Sequence, residues 1–241
     1  MGFVFLALVN KVFGQNLPPI QLDRPDQTEC PFITPKQYIQ IENGFNIENA
    51  VKGIKNYTFP SSLWKYGINE KLELRLITEL VHEDHQLGLK PITIGFKTAL
   101  FEENGIIPKT SFIGHITSTT IGTPSFHTNY IAPAFRFTMQ HTISEKISLA
   151  YNLGAEWDGM VTSPSYLYTL TTGYSINSKL GAYMEAYGFL SNHSTADNRL
   201  DGGFTYLINN DFIIDLSGGL GVSATAPNNY ISFGISYRFK H

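Results

Sequence analysis

The apolar residues of this chain recur at every second position over most of its length. A period of two is typical of β-strands with one apolar and one polar face, whereas an amphipathic helix has a period of 3.6. Near the carboxy terminus, small or polar residues separate the apolar ones, and Ser236 and Arg238 are examples. The apolar set there is Ile231, Phe233, Ile235, Tyr237 and Phe239. From Tyr38 onward the pattern predicts strands and almost no helix.

A short polar turn recurs between the predicted strands. Asn, Asp and Ser favour such turns because their side chains bond the local backbone and Asn tolerates positive φ. Longer polar loops alternate with the turns, and five turns with six loops imply twelve strands. The turns lie at 68–72, 102–105, 143–147, 176–180 and 208–212. The predicted strands are 36–49, 57–68, 71–82, 88–101, 107–117, 128–140, 146–157, 166–176, 179–190, 199–208, 212–221 and 230–239.

Two architectures use such strands, a soluble sandwich or barrel with its apolar face inward and a membrane barrel with that face outward. Most of these strands reach the roughly 9–11 residues that a tilted strand needs to cross a bilayer. Short turns at one end, long loops at the other and an even strand number are typical of outer-membrane barrels. We therefore predict an all-β fold, an antiparallel up-and-down transmembrane β-barrel of about 12 strands.

Composition supports the membrane alternative. Charged residues make up 15% of the chain, against about 25% in soluble domains. The longest apolar run, 3–9, is too short for a membrane helix, which needs about 18 residues. The 17 basic and 20 acidic residues form no basic cluster, which excludes nucleic acid as a partner. Aromatic rings gather at membrane interfaces, and candidates for two such girdles are Trp64, Tyr66, Tyr174 and Tyr206 at one end and Trp157 and Tyr166 at the other.

Alternation directs a set of charged and tyrosine side chains into the barrel. Arg or Lys facing lipid at mid-membrane costs about 2–4 kcal/mol, so the inward phase of the charges agrees with a membrane barrel. A barrel of this size passes only small solutes or is closed. The candidate lumen-facing residues are Lys65, Glu73, Arg75, Glu79, Lys97, Arg136, Glu156, Tyr183, Glu185, Tyr187, Asp201, Asp215 and Arg238. They either pair across the lumen or line a path for solute.

The first 35 residues differ from the rest. Residues 1–14 contain an apolar core followed by a small residue and resemble a secretory signal peptide. Residues 15–35 contain five prolines and cannot form a central strand. Because this segment carries charges that suit a polar lumen, we expect a plug, an anchor or a periplasmic tail. Residues 36–241 form the predicted barrel.

Several motifs resemble a bacterial family named for the MetA pathway of phenol degradation. The opening motif 23–32, which includes Asp23, Arg24, Pro25, Asp26, Thr28 and Glu29, carries much of the likeness, and Thr34, Pro35, Gln40, Glu42 and Gly44 continue it. Agreement extends through 66–75, 187–188, 201–203, 205–206 and 236–239. The chain departs from the family at Cys30, where a small hydroxyl residue is common, and in the two residues after Phe239.

This resemblance implies an outer-membrane channel or transporter for small organic molecules, aromatic or hydrophobic ones among them. It implies as partners outer-membrane lipid, a small-molecule solute and the assembly machinery that recognises a final aromatic residue. Two alternatives stay open, an outer-membrane lipid-modifying enzyme and a closed structural barrel without a pore. Conductance and lipid hydrolysis distinguish them.

Enzyme and cofactor signals are weak. The neighbours Asn192, His193 and Ser194 lie in a predicted loop, where adjacent residues seldom converge on one reaction site. The group 82–85 contains two histidines and two acids, but no further metal ligand accompanies it. The single cysteine, Cys30, forms neither an intrachain disulfide nor a Cys-based zinc site, and no phosphate-binding glycine loop is present. We predict no catalytic residue, no metal and no cofactor.

Overall fold

The computed structural model describes residues 17–50, 53–192 and 195–241. The predicted signal peptide, 1–14, and the loop residues His193 and Ser194 lie outside this part of the chain. Within it, thirteen β-strands and one 3-10 turn at Pro124–Phe126 account for the regular structure. The strands are β1 Tyr38–Asn49, β2 Lys55–Asn69, β3 Leu72–Glu83, β4 Gln86–Leu89, β5 Thr93–Phe101, β6 Lys109–Thr117, β7 Ala132–Thr142, β8 Ile147–Glu156, β9 Ser165–Ser175, β10 Leu180–Ser191, β11 Asp197–Asn209, β12 Phe212–Gly221 and β13 Asn229–Lys240.

Twelve of the thirteen described strands close into a barrel. Each of the twelve pairs with two neighbours in an antiparallel ladder, and the short β4 pairs only with β3. The first and last strands meet along their whole length, from Tyr38 opposite Lys240 to Asn49 opposite Asn229. No barrel strand therefore keeps a free edge, which is the condition for a sheet in hydrocarbon. The predicted twelve-strand antiparallel barrel is confirmed.

The turns at one end of the barrel are built by local side chains, as the sequence predicts. The Asn69 Oδ1 atom accepts a hydrogen bond from the Lys71 amide at 2.8 Å. Asn177 Oδ1 accepts from the Lys179 amide at 2.9 Å, and Asn209 Oδ1 accepts in the same way from Asp211 at 2.9 Å. We call this the turn end. Short turns mark the periplasmic side of outer-membrane barrels.

One predicted strand was wrong. The sequence pattern predicts a continuous strand over 88–101. The structure instead contains two strands, β4 and β5, which residues 90–92 separate. Pro91 has no amide hydrogen to donate to a ladder. The neighbouring Lys90 amide bonds to the Glu79 carbonyl, and the Ile92 amide bonds to the Ile121 carbonyl in a loop. β4 therefore forms a separate hairpin with the outer end of β3.

The outer surface of the barrel is apolar and the inner surface is polar. On β13, Ile231 is 56% exposed, whereas its neighbour Ser232 is 4% exposed. Leu170 and Phe204 are 50% and 54% exposed in the middle of other strands. Tyr174 and Tyr206 are exposed near the turn end, and Tyr166 is exposed near the loop end. A closed barrel with such an exterior is the architecture of bacterial outer-membrane proteins.

The described part of the chain contains no helix with the length and hydropathy needed to cross a bilayer.

Candidate functional site

Residues 17–35, which we call the luminal segment, lie inside the barrel. The Ile20 amide donates to the carbonyl of Asn210, in the turn between β11 and β12, at 2.8 Å. Just after the segment, the Gln37 amide donates to the Gly67 carbonyl at 2.8 Å. Both contacts are at the turn end, so the segment enters the lumen and leaves it on the same side.

Asp23 connects the luminal segment to four strands. Its carboxylate lies 2.6 Å from the Lys97 amine, 2.9 Å from the Lys65 amine and 3.2 Å from the Arg75 guanidinium. The Asp23 amide donates to Glu42 Oε2 on β1 at 3.0 Å. A buried carboxylate with this many charge-assisted partners is stabilised despite its desolvation, and the loss of one partner from such a cluster is strongly destabilising.

Glu29 makes a second set of ionic contacts. Its carboxylate lies 2.6 Å from Arg75 and 3.5 Å from Arg136 on β7. Its backbone pairs with the side-chain amide of Asn152 on β8, because the Glu29 amide donates to Asn152 Oδ1 at 2.8 Å and Asn152 Nδ2 donates to the Glu29 carbonyl at 3.0 Å. Arg75 therefore links Asp23 and Glu29, and the segment spans the lumen between β3 and β8.

The Arg24 side chain extends toward β12 and β13 and lies over two glycines. Its guanidinium donates to Ser232 Oγ at 2.9 Å and lies 3.4 Å from Asp215. Gly44 and Gly234 face each other across β1 and β13. A Cβ on Gly44 would lie 1.9 Å from Arg24 Nη1, and one on Gly234 would lie 2.0 Å from Asp215 Oδ2. These glycines leave the space that the Arg24–Asp215 pair occupies.

Glu185 on β10 holds the middle of the segment. The amides of Gln27 and Thr28 donate to its carboxylate at 2.7 and 2.8 Å. The Thr28 hydroxyl also donates to it, and the Thr171 hydroxyl does so at 3.0 Å. The hydroxyl oxygens of Thr28 and Thr169 are 2.5 Å apart. The segment is therefore bonded to the β9–β10 wall as well as to β1–β3, β5 and β7–β8.

All thirteen candidate lumen-facing residues are buried or half-buried, in contrast to the apolar residues of the outer face. Several do not contact the luminal segment. Glu79 accepts from Ser61 at 3.1 Å, and Glu156 lies 3.8 Å from Arg136. The buried ones are Lys65, Glu73, Arg75, Lys97, Tyr183, Glu185, Tyr187, Asp201, Asp215 and Arg238, and the half-buried ones are Glu79, Arg136 and Glu156.

The remaining predicted residues lie at defined places. Glu73 accepts from the Thr34 amide at 2.7 Å, and Arg238 donates to the Pro18 carbonyl at 2.9 Å. The Arg199 guanidinium lies 5.8 Å from the centre of the Tyr187 ring. In the opening motif, Asp23, Arg24, Thr28 and Glu29 bond to the wall. Arg24, Pro25, Asp26 and Thr28 line a cavity.

Sequence reasoning did not single out several wall residues that bond the segment. Glu42 is on the inward face of β1 and belongs to the motifs that resemble the family. Alternation and the motif together could therefore have identified it. Asn152, Thr169 and Thr171 are small uncharged polar residues in strands, and alternation gives their face but not their partner. Their role depends on the path of the luminal segment, which no periodicity in the sequence specifies.

The luminal segment leaves a cavity of about 680 Å³ against the wall of β7–β12. The cavity reaches the turns of that wall, where Lys146 and Lys179 line it. At its inner end lie Asp26 and Tyr183. This volume is in the range of small-molecule sites, about 300–1,000 Å³.

The residues 82–85, which the sequence analysis considered and set aside as a metal site, lie apart from the lumen. His85 and Asp84 form the two-residue turn between β3 and β4, both with positive φ. The His82 ring packs against Tyr57, with ring centres 5.9 Å apart, and Glu83 pairs with Lys90 at 2.8 Å. Over the described ranges, no group of three or more His, Cys, Asp and Glu residues has a geometry that could hold a metal ion.

Comparison with known proteins agrees with this architecture. The family model described as Putative MetA-pathway of phenol degradation matches residues 22–239. The fold resembles an outer-membrane channel of Pseudomonas putida F1 from group COG4313, with a TM-score of 0.61, 12% identity and coverage of 91% of this chain and 100% of that one. No curated protein matches.

Two further solved structures share the fold. One is described as the KdgM porin, with a TM-score of 0.59, 8% identity and coverage of 83% of this chain and 99% of that one. The other is described as the CymD monoaromatic hydrocarbon channel, with a TM-score of 0.51, 10% identity and coverage of 86% of this chain and 89% of that one. At these identities the likeness concerns the fold.

Proposed function

Because the chain belongs to the Putative MetA-pathway of phenol degradation family, we propose that it is an outer-membrane channel for small organic molecules, aromatic or hydrophobic ones among them. The observation that carries this proposal is the cavity of about 680 Å³ between the luminal segment and the inner wall of a closed barrel. Two structural neighbours, an outer-membrane channel and a monoaromatic hydrocarbon channel, support it.

The luminal segment acts as the gate of this channel. Its ionic contacts with β2, β3, β5 and β7 occupy the lumen on that side. The opposite side holds the cavity, which is open toward the turns. Solute moves through the cavity along β7–β12 when the luminal segment shifts away from this part of the wall. Transport is passive and involves no covalent step, because the barrel provides a path rather than a reaction site.

The candidate path residues have two roles in this proposal. Tyr183 and Asp26 line the cavity and meet the solute. Lys65, Arg75 and Lys97 hold Asp23 and so keep the segment closed. The surrounding partner is outer-membrane lipid, and the final strand with Phe239 is the feature that the assembly machinery recognises.

Pore formation is tested with the purified full-length protein in liposomes. Membrane-impermeant solutes of increasing size, such as arabinose and sucrose, are added outside, and swelling is followed by light scattering. We expect faster swelling with the smaller solute than in protein-free liposomes. Uptake of labelled benzyl alcohol by a porin-deficient Gram-negative host, with and without the protein, tests the aromatic class. Absence of swelling, conductance and uptake would contradict the proposal and favour a closed structural barrel.

A further inference from the structure

Three carboxylates gather where the luminal segment passes β10 and β11. Glu185 and Asp201 are directly opposite each other in the ladder of these strands. Asp26 of the luminal segment interacts electrostatically with both. Like charges at opposed ladder positions destabilise a sheet, so this arrangement needs a compensating proton or cation. None of the three forms an ion pair within the part of the chain that the structure describes.

The neutral donors around these acids do not satisfy all of their oxygens. Glu185 accepts hydrogen bonds from the segment and from Thr171, and the Tyr230 hydroxyl donates to Asp201 Oδ2. Asp201 Oδ1 is buried and has no hydrogen-bond partner among the described residues. This part of the lumen therefore holds three carboxyl groups with no cationic side chain paired to them among the described residues.

The same region opens into the cavity. Asp26 and Tyr183 line its inner end. Tyr183 is 9% exposed, and its hydroxyl is buried with no hydrogen-bond partner in the described ranges. A buried polar group without a partner is costly, and such groups are usually satisfied by water or ligand. The Tyr183 hydroxyl therefore indicates a ligand position beside Asp26.

Away from Asp26 and Tyr183, part of the cavity wall is apolar. Leu22 of the luminal segment, Leu207 of β11 and Ile213 of β12 contribute to its lining. The nearby Arg24 also lines the cavity, but its guanidinium is engaged by Asp215 and Ser232. The cavity is thus apolar along part of its wall, has the Asp26 carboxyl group at its inner end, and has Lys146 and Lys179 at the turns. A ligand that fits both parts has an apolar body and a positively charged head.

We propose that this cavity binds small amines in their ammonium form, with the ammonium group on Asp26 and Tyr183 and the apolar body against Leu22, Leu207 and Ile213. The ammonium group donates to the Asp26 carboxylate and the Tyr183 hydroxyl oxygen. A carboxylate ligand of the same size would add a fourth carboxyl group beside Asp26, Glu185 and Asp201, which is unfavourable because like charges repel. This inference rests on the proposed channel function and identifies a solute class that the path favours.

The test uses three probes that share one ring and differ in the head group, namely benzylamine, benzyl alcohol and benzoate. Binding to the full-length protein in nanodiscs is measured by calorimetry at neutral pH and low salt. We expect benzylamine to bind at least about tenfold more tightly than benzoate, because a hydrogen bond to a charged group contributes that much. Equal binding of the three probes would overturn the proposal.

Two variants locate the site. Asp26→Asn and Tyr183→Phe should each weaken benzylamine binding, the first by about tenfold or more. Glu70→Gln is the matched control, since Glu70 is exposed in the β2–β3 turn and does not line the cavity. Maleimide labelling of Cys30 shows whether a variant has moved the luminal segment. Unchanged benzylamine affinity in Asp26→Asn and Tyr183→Phe would overturn this site.

The test separates this inference from the proposed function. A protein that transports small solutes but does not distinguish benzylamine from benzoate remains a channel, and only the amine site is excluded. A protein that binds benzylamine through Asp26 but neither conducts nor takes up solute has the site without the channel. Each result therefore bears on one of the two proposals.

Discussion

The amine of Lys97 lies 2.6 Å from Oδ1 of Asp23, and these residues are 0% and 5% exposed. One belongs to the barrel wall and the other to the luminal segment, so the pair joins the segment to the membrane-spanning sheet. Lys65 and Arg75 lie within ion-pair distance of the same carboxylate. The docked position of the segment therefore depends strongly on a single side chain.

Substitution of Asp23 should release the luminal segment. Asp23→Asn leaves three wall cations without their shared counter-ion, and removing one member of a buried ionic cluster costs about 3–5 kcal/mol. Water entering the lumen recovers part of this energy. We expect the docked state to lose at least about 1.4 kcal/mol, a tenfold change in its population ratio. Single-channel recording in planar bilayers should show a higher open probability.

The control for this prediction is Asp84→Asn, a change of the same chemistry in the exposed turn between β3 and β4. It should leave the open probability unchanged. An Asp23→Asn protein that conducts like the unsubstituted protein would show that the ionic cluster does not hold the gate.

The paired glycines under Arg24 give a steric test of the same docking. A methyl group at Gly44 would lie 1.9 Å from Arg24 Nη1, so Gly44→Ala must displace the guanidinium from Asp215. Overpacking of this kind costs about 1–3 kcal/mol. We expect faster maleimide labelling of Cys30, the single cysteine of the chain, because this residue belongs to the luminal segment.

Gly218→Ala is the matched control for the glycine test. Gly218 also lies in a strand, and the atom nearest to its added Cβ is the Tyr230 carbonyl oxygen at 3.3 Å. Its labelling rate should stay close to that of the unsubstituted protein. If Gly44→Ala labels no faster than Gly218→Ala, the Arg24–Asp215 contact contributes little to docking.

A covalent lock tests whether the segment must move. The Thr28 and Thr169 hydroxyl oxygens are 2.5 Å apart, so the two side chains meet, and a disulfide at these positions would join the segment to β9. In a Cys30→Ser background, Thr28→Cys with Thr169→Cys should form this bond on oxidation. We expect solute flux to fall on oxidation and to return when a reducing agent is added.

The reduced form of the locked protein is its own control. Flux that is equal in the oxidised and reduced forms, with the disulfide verified by mass spectrometry, would mean that solute passes through the cavity without movement of the segment. That result would be consistent with the channel function but would contradict the proposal that the luminal segment is a gate.

The lipid-facing surface predicts a strong effect of charge at mid-strand. Leu170 is the central residue of β9 and is 50% exposed on the outer face. Leu170→Arg should lower the free energy of unfolding by about 2–4 kcal/mol, the cost of arginine at the bilayer midplane. Denaturant unfolding from lipid vesicles measures this change. Leu170→Ala, which places no charge in lipid, should cost less, and equal losses would argue against lipid contact here.

Most of the barrel follows from local rules of sequence. Alternation with a period of two identifies the faces, and the Asn and Ser turns set the strand ends. The exception is the predicted strand 88–101. Pro91 has no amide hydrogen, so the ladder ends there and β4 pairs with the outer part of β3. Alternation alone does not specify where a strand divides into two.

The candidate site was less predictable. The inward phase of residues such as Lys97 and Glu185 follows from alternation, but their partners belong to a segment without regular structure. Contacts such as Asp23 with Lys97 join positions 74 residues apart, and no local pattern encodes such a pairing. The choice among plug, anchor and tail for residues 15–35 therefore required three-dimensional information.

Because the luminal segment has both of its ends at the turn side of the barrel, it forms a hairpin-shaped insert rather than a thread. Such an insert can be withdrawn toward the periplasm and returned while all twelve strand pairings stay intact. A periplasmic binding partner could then control traffic from the inner side alone, with no change in the face that the cell presents to its surroundings.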